Sequence, residues 1–420
     1  MTQFVMPPRK PVSERTAMSN YIEPRDIHAL LALGPMAPVR NPYPLLRELR
    51  ATQPVLALNP ARSIAGSRRA VLVTRYQDVK AVLRDNETFS NDIVQRTMGV
   101  VMGPTVIGMD GKEHLQHRAL ITPSMTTRKI TGGDFPREVR RIADGYVDTF
   151  IDAGRADLHE QFCYSFPLSV FVSLLEIDLG DVKEFHDHSK ALCLVAMDPA
   201  KGFAASEWLL NFLQPIVQQK RRQPGSDLIS VLVQSEVDGA TLTDLEVVSF
   251  LRLLTLAGAE TTNHTIGTAM VALLRDPELM AGVRADRTLV PKLVWEAMRW
   301  ESPVSTVLRE ASCDTQIGDV RIEKGTEVIC HIGSANRDEQ QFDDPDNFDI
   351  DRADRDPIPF GFGRHYCAGS HLAKMEAEIG VNTLLDRLGN IRAIPGEEFS
   401  VVGFSFRGPD RIPVTFDRLT

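Results

Sequence analysis

Cysteine is scarce in this chain, and its spacing excludes two classes of protein. The 420 residues include five cysteines, an odd number, and no two of them have the C-x-x-C spacing. A disulfide framework needs paired cysteines and a zinc ribbon needs closely spaced pairs, so neither is expected. Unpaired cysteines favour a reducing compartment, and we expect a cytoplasmic protein. The five are Cys163, Cys193, Cys313, Cys330 and Cys367.

An excess of positive charge and a long apolar run are also missing. The chain has 47 Lys and Arg against 56 Asp and Glu, a formal net charge of −9. Non-specific binding of nucleic acid needs a basic surface, so nucleic acid is not an expected partner. No charge-free apolar run reaches the roughly 18 residues of a membrane span, so no membrane span is expected. The first ten residues also lack the apolar stretch of a secretory signal.

The sequence is rich in helical periodicity and poor in strand patterns. Hydrophobic residues make up 43% of the chain and charged residues 25%, enough for a sizeable core. We expect a mainly α fold with a small β portion (α+β), formed by one domain over 21–420 after a flexible leader, 1–20. Helices are predicted at 78–84, 137–153, 168–175, 207–219, 244–275, 290–300 and 368–388, and strands near 70–73 and within 315–332.

A glycine-rich loop around one cysteine carries the strongest chemical signal. Residues 360–369 read Phe-Gly-Phe-Gly-Arg-His-Tyr-Cys-Ala-Gly, and a helical pattern follows them. Glycines permit positive φ angles and a close approach of the backbone to a flat partner. A cysteine just before a helix N-terminus is expected to be a thiolate, because the helix dipole favours the anion. These are the requirements of a thiolate ligand to an iron porphyrin.

Other interpretations of this loop need to be weighed. A lone cysteine is most often a buried structural residue, and Cys367 with His365 or His371 could form a nucleophile–base pair or half a zinc site. A dinucleotide-binding loop fails its context test, because Tyr366 occupies the third glycine position and no strand pattern precedes the loop.

The predicted helix at 244–275 is apolar on most faces, yet its middle is polar. Thr243-Asp244-Leu245-Glu246 supplies a capping box at its start. Burying Glu260 and Thr261 costs about 1–3 kcal/mol for each group left unpaired. The Thr261 hydroxyl is expected to bond to the carbonyl four residues earlier and bend the helix, while Gly258 leaves room for a small ligand. A threonine-rich kink with only a structural role is the alternative.

Together these two segments resemble the cytochrome P450 family. The loop is similar to the family's haem-binding signature, Phe-x-x-Gly-x-x-x-Cys-x-Gly, at Phe360, Gly363, Cys367 and Gly369. Residues 257–262, Ala-Gly-Ala-Glu-Thr-Thr, resemble the family's oxygen-binding motif. The resemblance implies that haem b lies between the central helix and the helix after the loop, with Cys367 as the iron ligand.

The same resemblance assigns roles on the central helix. It implies that Gly258 lines the oxygen groove, that Thr261 steadies dioxygen and that Glu260 helps relay protons. A carboxylate beside a hydroxyl suits proton delivery. Glutamate instead of aspartate is an ordinary variant of the motif.

Glu296 and Arg299 also resemble a family feature. Their spacing, Glu-x-x-Arg, is similar to the family's pair that is tied to a downstream meander, and residues 335–352, ending at Arg352, match that meander. Neighbouring tryptophans indicate burial, where a guanidinium needs several partners. We interpret Glu296, Arg299 and Arg352 as structural residues that hold the Cys367 loop.

Four cations match the positions that bind the haem propionates in bacterial members of the family. His114 and Arg118 lie four residues apart on one predicted helix face, so both can point to the same anion. Arg309 and His365 are the other two. The chain departs from the family's common Pro-Pro pattern at 110–113.

The resemblance implies a haem-thiolate monooxygenase that uses dioxygen as co-substrate. Because cysteine clusters for an iron–sulfur centre are missing, electrons are expected from separate partners. The resemblance implies that these are an acidic ferredoxin and a reductase that oxidises NAD(P)H. We expect a monomer. Two weaker alternatives are a peroxide-driven haem-thiolate enzyme and a haem-thiolate protein that binds ligand without turnover. A hydrolase built on Cys367 would contain no haem.

The substrate is expected to be an apolar small molecule, such as a terpenoid, steroid, fatty acid or aromatic, that is hydroxylated or epoxidised. By analogy its contacts come from 101–107, Leu253 and Ala257, 304–307 and 404–406. Arg364 is unusual next to His365, and we hypothesise that it joins Arg118 and Lys374 in a basic patch for the electron donor. Simple contact of Arg364 with a propionate or solvent is an equal alternative.

Overall fold

The computed structural model describes residues 22–24, 26–32, 37–58, 69–125, 132–177, 182–192, 198–353 and 355–419. The predicted leader at 1–20 and Cys193 lie outside these ranges. Helices account for most of the regular structure, and the strands form small sheets, which confirms the predicted α+β class.

Helices of very different length make up the body of the molecule. They are α1 (Ile27–Ala32), α2 (Tyr43–Thr52), α3 (Tyr76–Arg84), α4 (Asp92–Thr97), α5 (Gly99–Met102), α6 (Gly111–Ile121), α7 (Phe135–Asp148), α8 (Phe166–Leu175), α9 (Val182–Leu192), α10 (Pro199–Arg222), α11 (Leu228–Gln234), α12 (Asp244–Arg275), α13 (Pro277–Ala285), α14 (Val290–Trp300), α15 (Ile332–Ala335) and α16 (Ser370–Arg387). A π-helical turn, His159–Cys163, precedes α8. Within the described ranges, no helix combines the length and apolar character needed to cross a membrane.

The strands pair in separate small sheets. They are β1 (Val55–Leu58), β2 (Ala70–Val73), β3 (Phe89–Ser90), β4 (Arg155–Asp157), β5 (Glu236–Val237), β6 (Ala240–Thr241), β7 (Thr306–Ala311), β8 (Thr315–Ile317), β9 (Val320–Ile322), β10 (Glu327–His331), β11 (Leu388–Ala393), β12 (Val401–Val402), β13 (Gly408–Pro409) and β14 (Pro413–Arg418). The largest sheet has the order β1-β2-β10-β7-β3, and only β10 and β2 are parallel. A second sheet has the order β11-β14-β4.

Element boundaries agree with the predictions where local signals are strong. Helices α12 and α14 and strand β2 have the predicted bounds. Helix α10 begins at Pro199, eight residues before the predicted 207, because the Asp198 side chain caps it by accepting from the Lys201 amide. Strand β7 lies before the predicted strand region and was missed, since its residues are only partly buried and give no clear alternation.

The central helix α12 runs through the middle of the core. The predicted capping box is confirmed: Thr243 Oγ1 accepts from the Glu246 amide at 3.2 Å, and the Glu246 carboxylate accepts from the Thr243 amide at 2.7 Å. Residues 247–259 belong to one hydrophobic cluster with α8, α9 and α10. Residues 266–273 belong to another with α7, α14 and α16. The polar stretch between them is therefore held at the junction of the two clusters.

Candidate functional site

Glycines give the cysteine loop its shape. Gly361 and Gly363 have φ angles of +74° and +75°, a region that residues with a Cβ rarely adopt. A Cβ on Gly363 would also lie 2.5 Å from the Leu83 carbonyl oxygen of α3. The missing side chain of Gly363 therefore allows the loop to pack closely against the backbone of α3. No strand leads directly into the loop, since the described residues between α15 and Phe360 contain none, so a dinucleotide-binding loop is excluded on structural grounds as well.

Cys367 lies between this turn and α16. Its amide donates to the Phe360 carbonyl at 3.1 Å, which closes the loop on itself. Phe360 stacks on Trp295 of α14, with ring centroids 6.1 Å apart. A Cβ added at Gly369 would meet no atom within 4 Å. The cysteine is thus held by backbone bonds and aromatic packing, with open space beside the start of α16.

Burial opposes the expected effect of the helix N-terminus on Cys367. Burial raises the pKa of Cys367, and the Gly369 amide and the Arg118 guanidinium counter only part of that effect. The protein groups alone therefore favour the neutral thiol. A coordinating metal ion deprotonates a thiol outright, so Cys367 is better suited to be a metal ligand than a free thiolate nucleophile.

The four predicted propionate-binding cations come together beside this loop. The rings of His114 and His365 lie 4.1 Å apart, and Arg118 donates to the Tyr366 carbonyl at 2.8 Å. Arg309 is only 6% exposed, and burial lowers its pKa. Burial, with the nearby charges of His365 and Arg118, lowers the pKa of His114 to about 4. Helix α6 carries His114 and Arg118, as the four-residue spacing predicted.

This cluster needs an anion. Both ring nitrogens of His114 are buried and have no hydrogen-bond partner among the described residues. Asp110 is an acid at the cluster, 3.6 Å from His365. Burial tends to raise the pKa of Asp110, but hydrogen bonds from His365, Ser90 and Asn91 outweigh it and lower the pKa to about 2. The buried Arg309 guanidinium and the unbonded nitrogens of His114 suit the two carboxylates of haem.

Sequence reasoning missed Asp110. The residue accepts from Ser90 Oγ at 2.6 Å and from the Asn91 amide at 2.7 Å, which ties β3 to the start of α6. It stands where the family's Pro-Pro pattern was expected, just before the helix that carries His114. An aspartate followed by glycine before a helical pattern is a recognisable start signal, and it was the one available clue.

The middle of α12 presents a second open face. The Ala257 side chain is exposed although Leu256 and Ala259 are buried, and a Cβ on Gly258 would meet no atom within 4 Å. Thr261 Oγ1 donates to the Ala257 carbonyl at 2.7 Å, which confirms the predicted back-bond. This face therefore has room for a flat or small guest.

Glu260 flanks this face and is surrounded by nitrogen-bearing side chains. One of its carboxylate oxygens lies 3.3 Å from Lys190 Nζ of α9 and 3.3 Å from His264 Nε2, one turn later on α12. Neither neighbour was identified from the sequence, because Lys190 is 70 residues away and His264 carries no motif.

The Glu296–Arg299 pair is buried and multiply bonded, as predicted. Arg299 donates to both Glu296 carboxylate oxygens at 2.7 Å and to carbonyls of the meander, while Arg352 reaches the same carboxylate at 3.3 Å. One of those carbonyls belongs to Asn336, whose side chain accepts from the Ile358 amide at 2.8 Å. The ion pair is thus linked to the residues that lead into the cysteine loop.

The three residues of the predicted basic patch differ in their exposure and contacts. Lys374 lies 4.0 Å from the Trp295 ring centroid in a cation–π contact, and Arg118 is bonded to the loop carbonyl described above. Arg364 is the exposed member of the three. The cysteine–histidine zinc interpretation finds no support, because the described residues include no group of three side chains able to hold a metal ion.

Comparisons with known proteins agree with this geometry. A family model described as Cytochrome P450 matches residues 200–389. Pulcherriminic acid synthase of Bacillus subtilis is 32% identical over 90% of this chain and 95% of its own length. The structure of cytochrome P450 CYP109Q5 from Chondromyces apiculatus is 34% identical, with a TM-score of 0.82 over 90% of this chain and 96% of that one.

A second solved structure carries a bound molecule. CYP109E1 from Bacillus megaterium, in complex with testosterone, is 29% identical with a TM-score of 0.80, over 89% of this chain and 99% of that one. These relatives match this chain over almost their whole length, so the similarity covers the fold as well as the family. Since the sequence motifs, the architecture and these relatives agree, the chain belongs to the cytochrome P450 family of haem monooxygenases.

Proposed function

We propose that this protein binds haem b through Cys367 and inserts one oxygen atom from dioxygen into an apolar small molecule. The observation that carries the proposal is the cluster of His114, Arg118, Arg309 and His365 beside the cysteine loop. Both buried nitrogens of His114 have no partner in the part of the chain that the structure describes. Haem, when bound, supplies the iron centre for dioxygen activation.

The cations are proposed to hold the two propionates. Among the described residues, Arg118 bonds to one carbonyl and Arg309 to another, and each guanidinium has further N–H groups for charge-assisted bonds. His114 and His365 are proposed to donate when protonated. Burial, together with the charges of His365 and Arg118, holds the pKa of His114 well below its usual value, so a bound carboxylate is expected to raise it again. Phe360, Gly363 and Gly369 are proposed to shape the loop around Cys367.

The exposed face of α12 is proposed to handle oxygen and protons. The Thr261 hydroxyl is oriented by its bond to the Ala257 carbonyl, and its oxygen can still accept one hydrogen bond. Gly258 leaves the space in which a diatomic guest fits. Glu260 is proposed to exchange protons with water and pass them toward Thr261.

An apolar substrate is supported by the segments expected to contact it. Val304 forms an isolated antiparallel bridge with Phe406, so two of these segments lie side by side. Val101, Leu253 and Phe404 contribute apolar side chains that are largely buried. The relative CYP109E1 binds testosterone, which favours a guest of steroid or similar apolar character.

Electrons are proposed to come from a separate acidic ferredoxin that docks near Arg364. Replacing Arg364 with alanine is expected to weaken donor binding by about two- to fivefold at low ionic strength, the size of one exposed charge pair. The dependence on salt should also become shallower. Donor binding measured at several ionic strengths tests this, with Arg137→Ala on α7 as an exposed control. If Arg364→Ala and the wild type bound the donor equally at every ionic strength, Arg364 would have no part in donor binding.

The carbon monoxide difference spectrum of the reduced protein tests the haem-thiolate assignment. A strongly red-shifted Soret band is expected, together with one haem per chain by extraction. A spectrum of the histidine-ligated type, or a colourless protein, would contradict the proposal. Product formation with NAD(P)H, ferredoxin and reductase then separates a monooxygenase from a peroxide-driven enzyme, which would need added peroxide, and from a ligand carrier, which would form no product.

A further inference from the structure

A polar cluster at the junction of the two hydrophobic cores extends beyond Glu260. His264 follows one turn later on α12 and is 8% exposed, and Asn263 beside it is 1% exposed. Asn263 Nδ2 lies 3.4 Å from His159 Nε2 of the π-helical turn. Buried polar groups in such a position cost free energy unless they are bonded, so their retention needs an explanation.

Two atoms of this cluster have no partner within the described residues. His264 Nδ1 and Asn263 Oδ1 are both buried and unbonded. The π-helical turn that brings His159 here is a rare conformation that often occurs at functional sites. Buried polar atoms without a protein partner are commonly satisfied by buried water, which typically makes about three hydrogen bonds. The cluster is therefore suited to hold water against His264.

His264 has the geometry of a proton carrier. Its Nε2 lies 3.3 Å from the Glu260 carboxylate, while its other ring nitrogen, Nδ1, is buried without a partner among the described residues. An imidazole with one nitrogen on a carboxylate and the other on water can receive a proton at one atom and release one at the other. Its ring also packs tightly on Gly408 of β13, where a Cβ could not fit, so its orientation is fixed.

We propose that His264 is a proton-relay residue that acts through Glu260. A proton from water binds Nδ1, the Nε2 proton passes to the Glu260 carboxylate, and the imidazole recovers its first tautomer by exchange with water. No other bond changes and no electron moves. This inference rests on the proposed role of Glu260 in proton delivery and adds a residue that the family motif does not contain.

Several charged groups surround His264 and its acid partner. Glu260 lies on the same helix, α12, and Lys190 of α9 is 3.3 Å from that carboxylate. His159 of the π-helical turn faces the same cluster; burial, followed by the charge of His264, lowers its pKa to about 4, so it is neutral. Tyr164 and Asp187 surround Lys190 at the surface side, with the Lys190 ammonium 4.9 Å from the Tyr164 ring.

Histidine NMR of the reduced, carbon monoxide-bound protein tests the contact without turnover. The signal absent from His264→Gln identifies this ring. We expect its ring nitrogen signals to shift in Glu260→Gln, because Nε2 loses the charged acceptor that lies 3.3 Å away. Unmoved His264 ring signals in Glu260→Gln would overturn the proposal. His188→Gln, whose ring stacks on Trp208 at 4.2 Å, is the control for a histidine outside the cluster.

Turnover as a function of pH gives the second readout. At the pH optimum of the wild type, the turnover of His264→Gln is expected to be about tenfold lower and its pH profile to change shape. The loss is smaller than the roughly 10²–10⁴-fold of a full general acid because water can partly replace the imidazole. If the pH profile of His264→Gln were unchanged while the turnover of Glu260→Gln was slow, the role of His264 would be wrong and the proposed role of Glu260 would remain. Normal turnover in Glu260→Gln would instead remove the proposed role of Glu260.

Discussion

Replacing Cys367 with serine is expected to remove the red-shifted carbon monoxide band and nearly all monooxygenase turnover. Burial raises the pKa of the Cys367 thiol. A bound metal ion would nevertheless hold the side chain as a thiolate, and a serine hydroxyl is a far weaker ligand. Losing a partner of a metal ligand typically costs about 10- to 100-fold, and losing the ligand itself should exceed that. The measurements are the difference spectrum and product formation with saturating electron donor.

A matched control separates ligation from general damage. Cys313 is exposed in the segment between β7 and β8, so Cys313→Ser should keep the spectrum and the turnover of the wild type. The propionate-binding cations are intact in Cys367→Ser, and some haem should therefore remain bound with an altered spectrum. If Cys367→Ser kept a thiolate-type spectrum, another cysteine would have to be the ligand, and the assignment of the loop would be wrong.

The features that could be predicted from the sequence are those with local signals. The capping box at Thr243 and the apolar pattern after it gave both ends of α12, because cap and periodicity lie within the helix itself. The back-bond of Thr261 and the shared face of His114 and Arg118 also follow from helical spacing alone. Family membership rested on the loop at 360–369, where glycine and cysteine positions are dictated by close contacts.

The features that were missed depend on contacts between distant segments. Glu260 meets Lys190 across 70 residues, and Asp110 meets His365 across 255, so no local pattern reveals either pair. The pKa of Cys367 could not be predicted because the helix dipole and burial act in opposite directions, and the balance depends on packing. Lys374 is placed on the Trp295 ring for a similar reason: adjacent helices decide what a surface cation touches.

Replacing Glu296 with glutamine is expected to destabilise the protein by about 3–5 kcal/mol, a large share of the roughly 5–15 kcal/mol of an average domain. Glu296 is 5% exposed and its carboxylate is bonded to two guanidinium groups, those of Arg299 and Arg352. Glutamine keeps the shape but not the charge, which leaves Arg299 buried at 1% exposure without an acid partner. Denaturant unfolding of the haem-bound protein, followed by the Soret band and by circular dichroism, measures the loss.

The chain offers an exposed pair of the same spacing as the control for that experiment. Glu138 and Arg141 on α7 also stand three residues apart and are 2.6 Å from each other, but their side chains are 35% and 70% exposed. Glu138→Gln should change the unfolding free energy by less than about 1 kcal/mol, because water replaces the lost partner. A large loss in Glu296→Gln beside a small one in Glu138→Gln would attribute the cost to the buried, unpaired charge of Arg299 and not to the loss of an ion pair of this spacing. Equal stabilities of the two variants would show that the meander accommodates an unpaired guanidinium, and the structural role assigned to Glu296 would be wrong.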